Sequence, residues 1–441
     1  MTASLLFVLV VTGLEARAQD IDWDQTANEA VRTLEDYIRI DTSNPPGKVT
    51  SAAELLSGVL RAEGIEVTQY ESAPGKVNLY ARLAGSGQGK SILLLHHMDV
   101  VPADRTRWDV DPFAGVSKDG YVWGRGAMDM KGLGMIHLYA FVSLKRTGIP
   151  LSRDVIFMAV ADEEIGGELG ARWMIENHYQ ELDPEYVLDE GGFGSRDLFV
   201  DGKLVFGISV AEKKIVWLKV RAEGVAGHGS QPHQQNPNDR LVRALARLLS
   251  HPLPSAPVPV LEKLRTELGT LEQNKFTHAI QHSTISLTTL RSGVGDPVKV
   301  NVIPSVAEAT LDCRLLPGTS TDEWLAEIRR RLDDSEIELE VLYESDDSVV
   351  TPYEGGLYGA LEKAIVRQEP DATVVPILIP YGTDSNAFRH KGAKSYGLTP
   401  LILPADVVGS MHGDAERVPV TEMGKGIRIF YEALSEIAAS N

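Results

Sequence analysis

SILLLHHMDVVP, residues Ser91 to Pro102, is the stretch from which the fold can be read. Ser91 to Leu95 run apolar or small without alternation into His96, His97, Met98 and Asp99. An unbroken run of this length predicts a strand buried on both faces, as in a parallel sheet covered by helices. Such sheets carry their chemistry at the carboxyl ends of their strands, which is where His97 and Asp99 fall. Side chains two apart on a strand share a face. Asp99 is therefore placed to take the second ring N–H of His97, a standard support for a metal-binding histidine. From this stretch alone, an aspartate-held histidine at a sheet end reads equally well.

Composition bounds the rest. The chain has 441 residues, enough for two domains or one large one, and is 43% hydrophobic and 24% charged, so a full core is available. A net charge of −19 argues against nucleic acid and anionic membrane surfaces as partners. The single cysteine, Cys313, excludes disulfides within the chain and cysteine-based zinc sites. Ser4 to Leu14 form an apolar run of signal-peptide length, followed by Ala16-Arg17-Ala18 as a cleavage site, although no Lys or Arg precedes the run. The expectation is an exported, periplasmic or secreted protein cleaved after Ala18. The alternative is that the segment is kept as a membrane anchor.

Outward from the first strand, Ser51 with Glu54 predicts a capping box for a helix running to about Glu63, with Gly64 as its stop. Ile65–Tyr70 and Val77–Leu83 read as strands. DVIFMAVA (Asp154–Ala161) is a second buried strand and Tyr186–Leu188 a third. Strands alternating with helices predict an α/β domain with a mostly parallel sheet and helices on both faces. From about Ser209 the pattern changes to half-exposed strands. In Val306–Leu316, Ala307, Ala309, Leu311, Cys313 and Leu315 alternate with Glu308, Thr310, Asp312 and Arg314. This predicts an inserted α+β domain built on an antiparallel sheet. The expected division is 1–18 signal, 19–208 first catalytic part, 209–347 insertion and 348–441 second catalytic part.

Acidic and histidine residues recur at strand ends or loop starts of the α/β domain: His97/Asp99, Asp129, Glu163/Glu164 and Asp189/Glu190, with His412 in the returning segment. One such acidic pair is usually solvated surface. Their recurrence after buried strands is different, because unpaired carboxylates gathered there would repel. One histidine with carboxylates, twice over, suits two divalent zinc-like ions sharing a bridging carboxylate about 3.5 Å apart and activating a water.

The motifs DTSNPPG, HMDVVP, WGRGAMDMKG, ADEEIGG, LDEGG, GHGSQP, NVIPSVAEATLDCRLLPG and YGTDSNAF together resemble those of the dinuclear-zinc metallopeptidases. That family includes aminoacylase, glutamate carboxypeptidase, carboxypeptidase S, carnosinase and succinyl-diaminopimelate desuccinylase. DTSNPPG and LDEGG tilt the resemblance toward the carboxypeptidase S and N-acyl-amino-acid hydrolase branch. It implies a zinc-exopeptidase sheet with an inserted dimerisation or lid domain, and two divalent ions, zinc first, with cobalt or manganese as alternatives.

Residue by residue, it implies that His97 binds one metal, Asp99 orients it and Asp129 bridges both. Glu163 is general base and acid. Glu164 and His412 complete the second metal and Glu190 the first, the choice over Asp189 resting on the alignment of LDEGG. His228 would stabilise the oxyanion from a partner subunit in a homodimer. Arg314 and Asn301, with Gly382 and Thr383 of YGTDSNAF, would bind substrate, Arg314 taking a free carboxylate. His96 stands where the family often has glycine and reads as a packed bystander. The implied reaction is hydrolysis of an amide or peptide bond releasing an amino acid with a free carboxylate, by a carboxypeptidase or N-acyl-amino-acid hydrolase. An aminopeptidase, dipeptidase or desuccinylase, or a catalytically silent exported peptide-binding module, are the alternatives.

Overall fold

The computed structural model describes residues 20–250, 252–253 and 257–440. The apolar run and cleavage site at 4–18 lie outside the described residues.

Ser91–His97 is a strand with every residue buried, and its side chains serve two cores. Ile92 and Leu94 enter a large core shared with helices Trp23–Ile38, Thr50–Ala62, Lys131–Thr147, Gly356–Gln368 and Val420–Ala438. Leu93 and Leu95 enter a smaller one under helices Ala171–Leu182 and Ser385–His390. Two-sided burial is why the run does not alternate. The strand lies inside an eight-stranded sheet in the order Val67–Ala73, Lys76–Leu83, Val155–Val160, Ser91–His97, Pro184–Ser195, Lys394–Ile402, Val205–Glu212 and Thr373–Ile379. Its two neighbours are parallel to it, as are the Pro184–Ser195/Lys394–Ile402 and Val205–Glu212/Thr373–Ile379 pairs. The fold is therefore the expected α/β class.

The inserted sheet is antiparallel, in the order Thr284–Ser292, Val306–Leu315, Lys214–Glu223 and Ile337–Glu344. Ala307, Ala309, Leu311, Cys313 and Leu315 face a separate core with Leu241 and Leu245 of helix Pro237–Leu249 and Trp324 and Ile328 of helix Thr321–Leu332.

Three local expectations change. Helix Thr50–Ala62 begins at Val49 with no side-chain cap. The Val49 N–H bonds Gly75 O, so the entry is fixed from outside and Ser51 falls within the first turn. Strand Val205–Glu212 stays in the main sheet to Glu212, so the crossing into the insertion occurs at Lys213 rather than near Ser209. Helices Pro259–Leu268 and Lys275–Gln281, inside the range read as the insertion, pack on the large core through Val260, Leu261, Leu264 and Ile280.

Candidate metal centre

His97 ends its strand on the face of Leu93 and Leu95, and its ring is buried. Its Nδ1 lies 2.9 Å from the backbone oxygen of Asp99, whereas the nearest Asp99 carboxylate oxygen is at 3.7 Å. The ring N–H expected at the carboxylate thus goes to the carbonyl of the same residue. In a neutral imidazole this leaves Nε2 as the free nitrogen. The Asp99 carboxylate instead accepts the backbone N–H groups of Glu163 (3.2 Å) and Glu164 (3.3 Å) and Nδ2 of Asn44 (2.7 Å). It ties the strand end to the loop that carries the two glutamates. That loop is held from below by Asp162, which has φ 75° and bonds the buried Lys76 Nζ at 2.5 Å.

Asp129 lies between two imidazoles. Its Oδ1 is 3.0 Å from His97 Nε2 and its Oδ2 is 3.0 Å from His412 Nε2. Glu190 Oε1 stands 3.6 Å from His97 Nε2, Glu163 Oε2 4.0 Å from the same atom, and Glu164 Oε2 3.5 Å from His412 Nε2. His412 has φ 59°, in the left-handed region seldom taken by a side-chain-bearing residue. Asp189 turns elsewhere and accepts the Ser385 hydroxyl at 2.9 Å. Of the LDEGG pair, Glu190 is the one in the cluster. Gly192 lets that strand through: a Cβ there would sit 1.9 Å from Gly207 O.

The charges depend on each other. Burial pushes Glu190 up to about 8, with Asp129 adding to it. Burial likewise holds Glu163 well above the usual carboxylate range. Burial alone would raise Asp129, but hydrogen bonds from His412 and His97 hold it low. Hydrogen bonds to Asp129 and Glu164 push His412 up to about 10. Buried carboxylates this close need positive charge among them, and among the described residues the His97 and His412 imidazoles are the groups that pair with them. Among the described residues, His97 with Asp129 and Glu164, and His97 with Glu163 and Glu190, place ligand atoms close enough to hold a metal ion, with His412 beside Asp129 and Glu164. Imidazole and carboxylate donors of this kind suit a divalent cation.

Two supports were not among the residues read from the sequence as functional. Glu416, fully buried, accepts the backbone N–H groups of Met128 (2.9 Å) and Asp129 (3.1 Å) with Oε1, and Arg125 Nη1 (2.6 Å) with Oε2. Arg125 also donates to His412 O at 3.3 Å and stacks on Trp108. Arg125 lies within the WGRGAMDMKG motif; Glu416 belongs to no pattern.

A cavity of about 650 Å³ opens over the cluster between the two sheets, and Arg314, Gly382 and Thr383 line it. The Arg314 fork is bidentate on Asp312, at 2.7 and 3.0 Å. Thr383 bonds Glu212, which pairs with buried Arg389. His228 and Asn301 do not line the cavity. Both are exposed: His228 is in a two-stranded ladder, paired with Val302, and Asn301 immediately precedes that ladder, where Gly229 N bonds Asn301 O. His96 points into the large core, near Tyr37 and against Gly134, where a Cβ would meet its ring at 2.6 Å.

Residues 93–436 match the model of peptidase family M20/M25/M40. The chain is 30% identical over 373 residues to the N-fatty-acyl-amino acid synthase/hydrolase PM20D1 of Bos taurus, covering 77% of this chain and 73% of that one. It is 26% identical over 421 residues to aminoacylase-1 of Sus scrofa, covering 93% and 95%. The fold superimposes on the M20 family metallo-carboxypeptidase Sso-CP2 of Sulfolobus solfataricus with a TM-score of 0.69 at 19% identity, over 92% of this chain and 98% of that one.

Proposed function

The chain belongs to peptidase family M20/M25/M40 and is a divalent-metal hydrolase of amide or peptide bonds; from that premise we propose that it is a zinc enzyme releasing an amino acid with a free carboxylate, as an N-acyl-amino-acid hydrolase or carboxypeptidase. The observation that carries this reading is Asp129, with one oxygen 3.0 Å from each of two imidazole nitrogens.

His97, Glu190 and Asp129 would hold one ion, and Asp129, Glu164 and His412 the other. When bound, the ions would polarise the scissile carbonyl and make a water more acidic. Glu163 takes the proton of the attacking water and hands it to the leaving amine nitrogen. Its burial favours keeping that proton between the two transfers. Arg314 binds the free carboxylate at the cavity wall.

The proposal includes a homodimer through the inserted sheet. Strand Thr284–Ser292 is a sheet edge, and Leu290, Val298 and Val300 beside it are 56%, 59% and 100% exposed. His228 would then serve the partner's cavity. Export of the mature chain is part of the same reading. No helix among the described residues is long and apolar enough to cross a membrane.

The test is zinc-loaded protein on N-acyl amino acids and dipeptides, beside Glu163→Gln. Wild type should hydrolyse at least one class and lose activity on chelation. Glu163→Gln should keep its zinc and lose about 10²–10⁴ in rate. Zinc loss in that variant would reassign Glu163 as a ligand. Hydrolysis unaffected by exhaustive chelation would overturn the reading.

A further inference from the structure

The inserted sheet lines the cavity with an apolar wall whose position is set by one register shift. Along Lys214–Glu223 the side chains away from the lid core are Ile215, Trp217, Lys219 and Arg221. Lys219 pairs with Glu340 and Arg221 with Glu338; Ile215 and Trp217 instead line the cavity. On this strand the outer face is thus charged at Lys219 and Arg221 and apolar at Ile215 and Trp217, the end that meets the cavity.

The neighbouring strand adds Tyr343. Continuing the register from Val341↔Leu218 would set Tyr343 opposite Val216, which belongs to the lid core. The shift between Val341 and Tyr343 sets it opposite Trp217 instead. A bulge re-aims a side chain in this way. The two ring centroids are 5.0 Å apart, and the residues remain 44% and 38% exposed. Among the catalytic-domain residues lining the cavity, Ile165 follows directly on Glu163 and Glu164 and is 57% exposed. Rings and branched chains left open together in a concave site favour an apolar occupant. Arg314 is the cross-strand partner of Ile215 and Asp312 that of Trp217, so the apolar wall and the Arg314 fork are carried by neighbouring strands, whose backbones lie ~4.8 Å apart.

We propose that Trp217, Tyr343, Ile215 and Ile165 form the subsite for a bulky apolar group of the substrate, making amides that carry such a group the preferred class. The proposal rests on the hydrolase reading above. The group belongs either to the acyl part or to the amino-acid side chain, and two substrate series separate these sources.

Zinc-loaded wild type, Trp217→Ala, Trp217→Phe and Tyr343→Ala are assayed on N-acetyl-, N-hexanoyl- and N-benzoylalanine, and on N-acetylalanine against N-acetylphenylalanine. In at least one series, wild-type kcat/KM should rise about tenfold to a hundredfold from small to bulky. Each alanine variant should cut that ratio about tenfold, mainly through KM, and Trp217→Phe should keep most of it. Both rings are partly exposed, so truncation opens no core cavity; melting temperatures check this. Amides hydrolysed without size preference, or a preference that survives both truncations, would overturn the subsite. If neither these amides nor dipeptides are hydrolysed, the hydrolase reading fails; in that case, or where only dipeptides are cleaved, calorimetric binding of N-benzoyl- against N-acetylalanine reads the subsite on its own. Tighter benzoyl binding that is lost in Trp217→Ala supports it, and equal binding overturns it.

Discussion

Glu416 accepts the backbone N–H of Asp129 at 3.1 Å, across 287 residues of chain. With its other oxygen it holds Arg125, which reaches the carbonyl of His412. One buried carboxylate therefore sets the backbone of the residue between the imidazoles and, through Arg125, the loop that bears one of them. Outer supports of this kind tune metal affinity by about 10–100-fold when removed.

Glu416→Gln keeps an acceptor for the two N–H groups but gives up the charge opposite Arg125. It should fold and bind zinc about tenfold or more weakly, read by competition with a chromophoric chelator. Glu416→Ala leaves Arg125 buried without its partner, at a cost of about 3–5 kcal/mol, and should melt at clearly lower temperature. Unchanged zinc affinity in Glu416→Gln would confine the carboxylate's role to burying Arg125.

Of the clustered residues, His97, Glu163, Glu164 and Glu190 could be picked out because each ends or follows an apolar run of strand, whereas Asp129 and His412 lie in turns and stand out through the motif resemblance. Ser91–His97 and Val155–Val160 could be read from composition alone. Lys394–Ile402 could not, although it lies inside the main sheet, because Gly397 and Pro400 argue against a central strand. Gly397 is needed there: a Cβ would sit 1.9 Å from Glu190 O. Glu416 is one acid among many in a chain with 62, and its partners are distant in sequence. The placement of Tyr343 depends on a bulge, which period-2 reasoning does not foresee. His97 was legible as a candidate ligand, but the partner of its Nδ1 was not, since a backbone carbonyl leaves no mark in the sequence.

His137 gives a pH dependence away from the metals. Its ring is buried and stacks on Phe430 at 5.2 Å, and among the described residues no side chain hydrogen-bonds it, the Leu95 backbone being its polar neighbour. Burial pushes it from the ordinary 6.5 down to about 3. Between these values the unfolded chain binds the extra proton. The contribution to stability is therefore complete above pH 6.5 and is lost as pH falls toward 3. Between pH 7 and pH 5 the loss from this group is about 2 kcal/mol. Urea unfolding at the two pH values should show His137→Leu losing about that much less than wild type. Equal losses would mean the ring finds a proton acceptor in the folded state.

His228 Nδ1 accepts the Ser230 backbone N–H at 3.1 Å and lies 2.7 Å from its hydroxyl. The ring proton therefore sits on Nε2, the nitrogen that would donate to an oxyanion. His228 lies outside its own cavity, and in the proposed dimer it would act in a partner's. Mixing His228→Ala subunits with Glu163→Gln subunits, each nearly inactive alone, should restore activity, because one site of each mixed dimer is intact. No recovery, with mixed dimers shown to form, would count against action in trans.

Arg314 is the sharpest test of substrate class. Its guanidinium lines the cavity but is bidentate on Asp312, both side chains being about a quarter exposed. Left at that, the pair is an ordinary same-face ion pair worth little to stability. A substrate carboxylate would have to share the fork with Asp312 or displace it, and Arg suits this because its planar nitrogens match a carboxylate two at a time. A charge-assisted pair of this kind contributes about 1.5–3 kcal/mol, or roughly tenfold to a hundredfold in kcat/KM. Wild type should therefore prefer a free-acid substrate over its amide by that factor. Arg314→Ala should level the two, and Arg314→Lys should lose most of the preference because a point charge lacks the fork. Asp312→Asn should lower KM for the acid by removing the competing carboxylate, without improving the amide. If wild type cleaves acid and amide equally well, Arg314 serves only Asp312, and the free carboxylate is not what the enzyme recognises.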